Sequence, residues 1–186
     1  MPDKPVSSVS VQLVAVDTAA HRAAAQELIS EYLHWVGGIA SAQYGLSFDI
    51  DAMVRSDIED RDKFYPPTGR FYLVQLADTF VGVGCLKRLA PGLGEIQRMY
   101  VRPQVRGHGA GRILVEHLLA DARALGYDTL RLESLRALEA AHNLYRSVGF
   151  VEIEPYAANS MDAYQDASTH TAYRKSAVFM EARLTR

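Results

Sequence analysis

The most constraining feature of this chain is a change of hydrophobic period across a run of glycines. Glu95 to Val101 reads as a strand, whereas from Gly109 to Leu125 apolar residues recur at helical spacing and place Ile113, Leu114, Leu118, Ala122 and Leu125 on one inner face. Between them lies RMYVRPQVRGHGAGR, Arg98 to Arg112, which holds Arg98, Arg102, Arg106, Arg112 and three glycines (Gly107, Gly109, Gly111) without an acidic residue. Glycines at such a junction let a backbone approach a ligand closely. The first helical N–H groups and the positive end of the helix dipole then attract anions. The segment therefore predicts a phosphate or pyrophosphate site, although the glycines alone are also compatible with a plain helix entry. No Gly-Lys-Ser/Thr follows as in a P-loop, the spacing is not G-x-G-x-x-G, and no early βαβ unit precedes the turn.

The rest of the chain supplies a mixed fold. Val9, Val11, Leu13 and Ala15 alternate as in a strand, and Asp17 or Thr18 is placed to cap a helix running from Ala20 to Trp35, which Gly37-Gly38 is expected to stop. A weaker helix fits Ile50 to Arg61, followed by the turn Pro66 to Gly69. Phe71 to Leu76 and Val81 to Lys87 form a hairpin that Glu95 to Val101 extends, and loops this short require antiparallel pairing. Later come a strand at Leu130 to Leu132, a helix at Leu138 to Val148, and strands at Phe150 to Ile153 and Ala177 to Leu184. Tyr156 to Lys175 shows no clear period and reads as a long loop, either functional or disordered. The expected fold class is α/β (α+β): a mixed, mostly antiparallel central sheet of about seven strands flanked by about four helices. Residues 1–8 are expected to be a flexible N-terminus and 9–186 a single domain.

Composition narrows the function classes. A length of 186 residues allows one ordinary core without disulfides or a structural metal, and the single cysteine, Cys85, suits a reducing compartment. With a net charge of -2, a broad electrostatic surface for nucleic acid or an anionic membrane is not expected. The first residues, MPDKPVSSVS, lack a signal-peptide core, and no apolar run is long enough to span a bilayer, so the protein is expected to be cytoplasmic. His21, His34, His108, His117, His142 and His170 lack metal-ligand spacing, so no metal is expected.

Arg106-Gly107-His108-Gly109-Ala110-Gly111, with the overlapping frame beginning at Gln104, resembles the Q/R-x-x-G-x-G/A element of GNAT acyltransferases, which bind acetyl-coenzyme A. The preceding strand Glu95 to Val101 with Arg102-Pro103, and the later Ala141-His142-Asn143-Leu144-Tyr145-Arg146-Ser147-Val148-Gly149-Phe150, which resembles A-x-x-L-Y-x-x-x-G-F, extend the likeness from Glu95 to Phe150 in the same order. The resemblance implies an acetyl-CoA-dependent N-acetyltransferase. The backbone of Arg106, Gly107, His108, Gly109, Ala110, Gly111 and Arg112 would cradle the pyrophosphate, and that of Met99, Tyr100 and Val101 would hold the pantetheine arm like an added strand. Arg106 and Arg112 either supply charge there or are solvated surface residues.

An alkylammonium with a pKa near 10.4 is about 0.1% free amine or less at neutral pH, so acyl transfer to it needs a route for a proton. The resemblance gives that role to Glu95, often acting through water in the family; an ordinary strand-end carboxylate is the other reading. It gives Tyr145 the role of proton donor to the departing thiolate, against a plain place in the helix core. Where many members carry asparagine this chain has Leu138; Asn143 sits at another helical angle, and Ser134 is the residue expected to give polar help instead. Tyr32, Trp35, Tyr44, Phe64 and Tyr65 from one side, and Tyr156, Asn159, Tyr164, His170, Tyr173 and Arg174 from the other, are the residues available to an acceptor pocket. The implied reaction is direct transfer in a ternary complex to the amine of a small molecule. A protein or peptide acceptor and a catalytically silent coenzyme sensor are the alternatives, and a homodimer is compatible with the apolar late strands.

Overall fold

The computed structural model describes residues 10–156, 161, 164 and 167–184. The expected loose start at 1–8, as well as Val9 and Asn159, falls outside them. Seven strands form one sheet: β1 (Val11–Ala15), β2 (Arg70–Leu76), β3 (Thr79–Ala90), β4 (Leu93–Val101), β5 (Thr129–Leu135), β6 (Val151–Ile153) and β7 (Ala177–Arg183), in the spatial order β1-β2-β3-β4-β5-β7-β6. Every pairing is antiparallel except β4 with β5. Among the described residues there are six α-helices, two more than expected: α1 (Ala19–Tyr44), α2 (Ile50–Glu59), α3 (Arg61–Phe64), α4 (Ala110–Ala124), α5 (Glu139–Ser147) and α6 (Ala167–Ser176).

The sheet separates two apolar cores. Leu28, Ile29 and Leu33 of α1 with Met53 and Val54 of α2 pack on Phe71, Leu73, Val83, Cys85 and Phe179 on one face. Leu114, Val115, Leu118 and Ala122 of α4 pack with Tyr145 and Phe150 on Leu86, Ile96, Leu130, Leu132 and Met180 on the other.

Four local expectations are corrected. Gly37-Gly38 does not stop α1, which begins with Thr18 Oγ1 accepting the His21 N–H at 3.0 Å and runs on to a left-handed cap at Gly45. The reason is packing: a Cβ on Gly37 would stand 2.9 Å from Ile50 Cδ1, so α2 approaches α1 more closely than another residue would allow. That contact outweighs a glycine's helix penalty of about 1 kcal/mol. Second, α6 occupies part of the stretch read as a loop; its buried anchor is Tyr173, too little to create a visible period. Third, Ile113 is 41% exposed, because the buried stripe of α4 passes through Ala110, Leu114, Val115, Leu118, Leu119 and Ala122. The helix expected from Ile50 to Arg61 is also interrupted: Asp60 caps a new turn, α3, through its side chain and the Asp62 N–H.

Candidate active site

The parallel pair positions the site. β4 and β5 are in register only from Leu93↔Thr129 to Glu95↔Arg131, and beyond that point they separate. From Ile96 onward β4 therefore has β3 on one edge and an open edge on the other. A cleft of about 650 Å³ occupies this split, walled by α1, α2, β4, the glycine turn, β5, the start of α5, Met161 and Tyr173.

One end of the cleft is backbone. Gly107 and Gly109 have φ of 83° and 84°, the left-handed region that glycine enters without a Cβ clash. Gly109 occupies the cap position of α4 and supplies no side-chain acceptor. Among the described residues, none of the six successive N–H groups from Gly107 to Arg112 meets an acceptor. That row fits a pyrophosphate, since consecutive N–H dipoles at a helix start form an anion-binding concavity. Arg106, Gly107, Gly109, Ala110, Gly111 and Arg112 all line the cleft, whereas His108 is exposed outside it with its ring nitrogen 3.0 Å from Arg106 O. Arg106 lies over the rings of Trp35 (5.0 Å) and Tyr100 (5.8 Å), and Arg112 bonds Ser147 Oγ at 2.8 Å. The open edge of Met99, Tyr100 and Val101 leads from this turn into the split, with the geometry an extended pantetheine arm needs.

At the middle of the cleft stands Tyr145, projecting from α5 and packed edge-on to Phe150 with centroids 5.9 Å apart. Its hydroxyl makes no hydrogen bond among the described residues, and burial pushes its pKa well above the ordinary value. Leu138, the N-cap of α5, has no side-chain capping bond and lines the cleft together with Ser134.

Glu95 lies on the α1 face of β4 and is fully buried. Tyr156 Oη donates to its Oε1 at 2.8 Å, and Gln97 Nε2 donates to Oε2. Burial raises its pKa; the Tyr156 and Gln97 bonds, then the charges of Lys87 and Arg98, act in the opposite direction. Gln97 lines the cleft and Glu95 does not, so the carboxylate is one layer behind the wall.

The far end is built from side chains. Of the aromatic residues anticipated for an acceptor pocket, Tyr32, Trp35 and Tyr173 line the cleft, Trp35 beneath Arg106 at the glycine-turn end; Tyr44, Phe64, Tyr65, Tyr156, Tyr164, His170 and Arg174 do not line it. Phe64 and Tyr65 instead stack on Phe71, at centroid distances of 5.6 and 5.5 Å. Gln97, Arg98 and Glu133 also line the cleft; sequence reasoning gave Gln97 and Glu133 no site role and counted Arg98 only as part of the acid-free run. Arg98 has φ 55°, unusual for a residue with a side chain, at a point where the β3–β4 register shifts. No sequence signal marks such a bulge, and Glu133 reaches the site only because β5 lies beside β4.

An open-edged strand leading to an uncapped helix start is an arrangement that can hold an extended, phosphorylated cofactor such as coenzyme A. The comparisons give the family. A model of the acetyltransferase (GNAT) family matches residues 39–150. An uncharacterised N-acetyltransferase of Schizosaccharomyces pombe is 31% identical over 135 residues, covering 71% of this chain and 77% of that protein. An IAA acetyltransferase of Azospirillum brasilense is 30% identical over 131 residues, covering 70% and 78%. In the solved structures, the PaiA N-acetyltransferase of Thermoplasma acidophilum in complex with coenzyme A shares the fold at 17% identity, with a TM-score of 0.65 over 94% of this chain and 99% of that one. This chain belongs to the GNAT acetyltransferase family, and its chemistry is acetyl-CoA-dependent N-acetyl transfer. Among the described residues no helix is long and apolar enough to cross a membrane, and no group of three metal-ligating side chains gathers.

Proposed function

We propose that the protein acetylates the primary amine of a small molecule by direct transfer in a ternary complex, with Glu95 as proton acceptor and Tyr145 beside the departing sulfur. The observation that carries this reading is the continuity of one cleft from the free N–H row at α4 to a pocket walled by α1, α2, Met161 and Tyr173. An acceptor confined among so many elements is better matched by a small molecule than by a folded protein's side chain.

The co-substrate supplies a thioester whose C–S bond breaks as the acetyl–nitrogen bond forms. Backbone N–H groups of Gly107 to Arg112 hold its pyrophosphate, and the β4 edge orients the arm. The attacking nitrogen loses a proton, which passes to Glu95 behind the Gln97 wall of the cleft, the route a water relay would take. Burial of Glu95 raises its affinity for that proton relative to an exposed glutamate. The Tyr145 hydroxyl, held protonated by burial, hydrogen-bonds the sulfur as negative charge develops there. Direct attack is favoured because Cys85, the only cysteine, is buried in β3 away from the cleft with its thiol pKa pushed well up by burial.

The test is coenzyme release from acetyl-CoA across a panel of amines, amino acids and peptides, with Tyr145→Phe for comparison. Turnover confined to small amines supports the reading. Turnover confined to peptides, or coenzyme binding without turnover on any acceptor, overturns it.

A further inference from the structure

Beyond β6 the chain returns over the α1 face of the sheet, and Tyr156 reaches the site there from behind the cleft wall. Its ring stands edge-on to Phe179 of β7, with centroids 5.4 Å apart, and beneath the guanidinium of Arg131 of β5 at 4.7 Å. Its hydroxyl extends to β4, two strands beyond β7, and donates to Glu95 Oε1 at 2.8 Å. Arg174 Nη2 of α6 holds the Tyr156 carbonyl at 3.2 Å, and Arg131 is itself fixed on Glu181 Oε2 at 2.9 Å. From the cleft side, Gln97 Nε2 donates to the other carboxylate oxygen. Glu95 is thus held at both oxygens by two neutral donors, one from the late segment and one from the wall.

Those donors have a chemical consequence. Burial favours the protonated form of a carboxyl, and a protonated carboxyl takes no proton from an ammonium. Hydrogen bonds donated to the charged form oppose that tendency. The charged groups nearby do not replace them. Lys87 lies opposite Glu95 on β3, Arg98 of β4 is committed to Asp57 of α2, and Arg131, in register with Glu95 on β5, is committed to Glu181. None of the three forms an ion pair with Glu95 among the described residues. Tyr32 of α1 and Tyr173 of α6 are neutral groups on the same face, and Glu133 of β5 adds its negative charge at Tyr156. Burial, with the Glu95 charge beside it, pushes the Tyr156 phenol far above its ordinary value, so it stays a donor.

We propose that Tyr156 and Gln97 are positioning residues for the transfer, which together orient Glu95 and favour its ionised form so that it can take the proton of the amine. The inference rests on the reading of Glu95 as proton acceptor. It gives the late segment a part in the reaction other than the acceptor contact expected of Tyr156: securing the base from behind.

The experiment follows the Glu95 carboxyl directly, by NMR of protein isotopically labelled at glutamate Cδ, with the signal assigned by its loss in Glu95→Gln. No acceptor is needed. Tyr156→Phe keeps the ring on Phe179 and deletes only the donor, so the Glu95 titration midpoint should rise by about 1 to 2 in pH, the worth of a hydrogen bond to a charged group. Gln97→Leu should raise it similarly, which keeps the test open if Tyr156→Phe does not fold; cooperative melting and retained acetyl-CoA binding verify each fold. For the amine of the panel that turns over fastest, the acidic limb of kcat/KM should move with the carboxyl while acetyl-CoA affinity stays within about twofold. Lost packing alone would not move that limb. A midpoint that stays or falls in either folded variant overturns the assignment of that residue, even where Glu95→Gln abolishes the limb and upholds the base. A midpoint that rises while the limb stays fixed supports the positioning of the carboxylate and removes Glu95 as the proton acceptor.

Discussion

At the α4 end of the cleft, the groups open to a negative charge are the backbone N–H dipoles of six consecutive residues, Gly107 to Arg112. At the α2 end the charged groups are side chains drawn from three separate elements, with Arg98 and Lys63 converging on Asp57. The first arrangement binds an anion through chain conformation, almost indifferent to side-chain identity except where glycine is needed. The second depends on particular charged atoms, each expensive to leave unpaired in a buried site. A cofactor common to many enzymes suits the first; an acceptor peculiar to one enzyme suits the second. The contrast predicts that substitutions at the two ends disturb different kinetic quantities.

The largest effect should come from Glu95→Gln. Loss of the proton acceptor should lower kcat/KM for an amine acceptor about 1,000-fold while acetyl-CoA affinity changes less than about twofold. The acidic limb of the wild-type pH–rate profile should lie above the ordinary glutamate value of 4.5, in the direction burial shifts Glu95, and should vanish in the variant. Stability supplies an independent sign. Because the folded pKa is raised, the native state favours the protonated carboxyl: stability is fully present below the unfolded value and declines as pH rises through the folded one. Glu95→Gln should therefore melt with the wild type in acid and above it at neutral pH. A variant that melts lower at neutral pH would show that the Tyr156 and Gln97 bonds outweigh desolvation.

Next is Gly109→Asp, which should weaken acetyl-CoA binding about 100-fold by placing a carboxylate against the bound anion. A Cβ at Gly109 would meet nothing within 4 Å, so the empty protein is disturbed only through its φ of 84°. Unchanged calorimetric affinity would move the anion site elsewhere and dissolve the contrast between the two ends. Tyr145→Phe should lower kcat about tenfold, the value of one hydrogen bond to the sulfur, with little change in melting temperature because the hydroxyl bonds no described residue.

The same contrast explains what was legible in the sequence. Elements made of contiguous residues could be read: the glycine turn, the α4 period, the β2–β3 hairpin and the motif carrying Tyr145. The α2 end could not, because its parts are distant in the chain. Arg98 was visible only as one arginine in an acid-free run; its meaning depends on a bulge and on Asp57, 41 residues away. Gly37-Gly38 misled for a related reason, since a glycine's local propensity opposes a helix while Ile50 packs closely against that very position. The aromatic residues divide likewise. Tyr32 and Tyr173 reach the cleft, whereas Phe64 and Tyr65 are consumed by packing on Phe71, and nothing in their spacing distinguishes the pairs.

Arg106→Gln is the smallest perturbation and the most discriminating between backbone and side-chain binding at the α4 end. Arg106 is committed in three directions: its Nε bonds Val101 O at 2.8 Å, and its guanidinium lies over Trp35 and Tyr100 at the mouth of the cleft. An exposed cation over aromatic rings contributes about 0.5–1 kcal/mol, and each unit of charge near a phosphate is weakened by salt. If the N–H row carries the pyrophosphate, removing this charge should weaken acetyl-CoA binding only about threefold and flatten its salt dependence slightly. A loss comparable to that of Gly109→Asp would mean that the α4 end, too, binds through a particular side chain. The six free N–H groups would then be the entrance to the site and Arg106 its anchor.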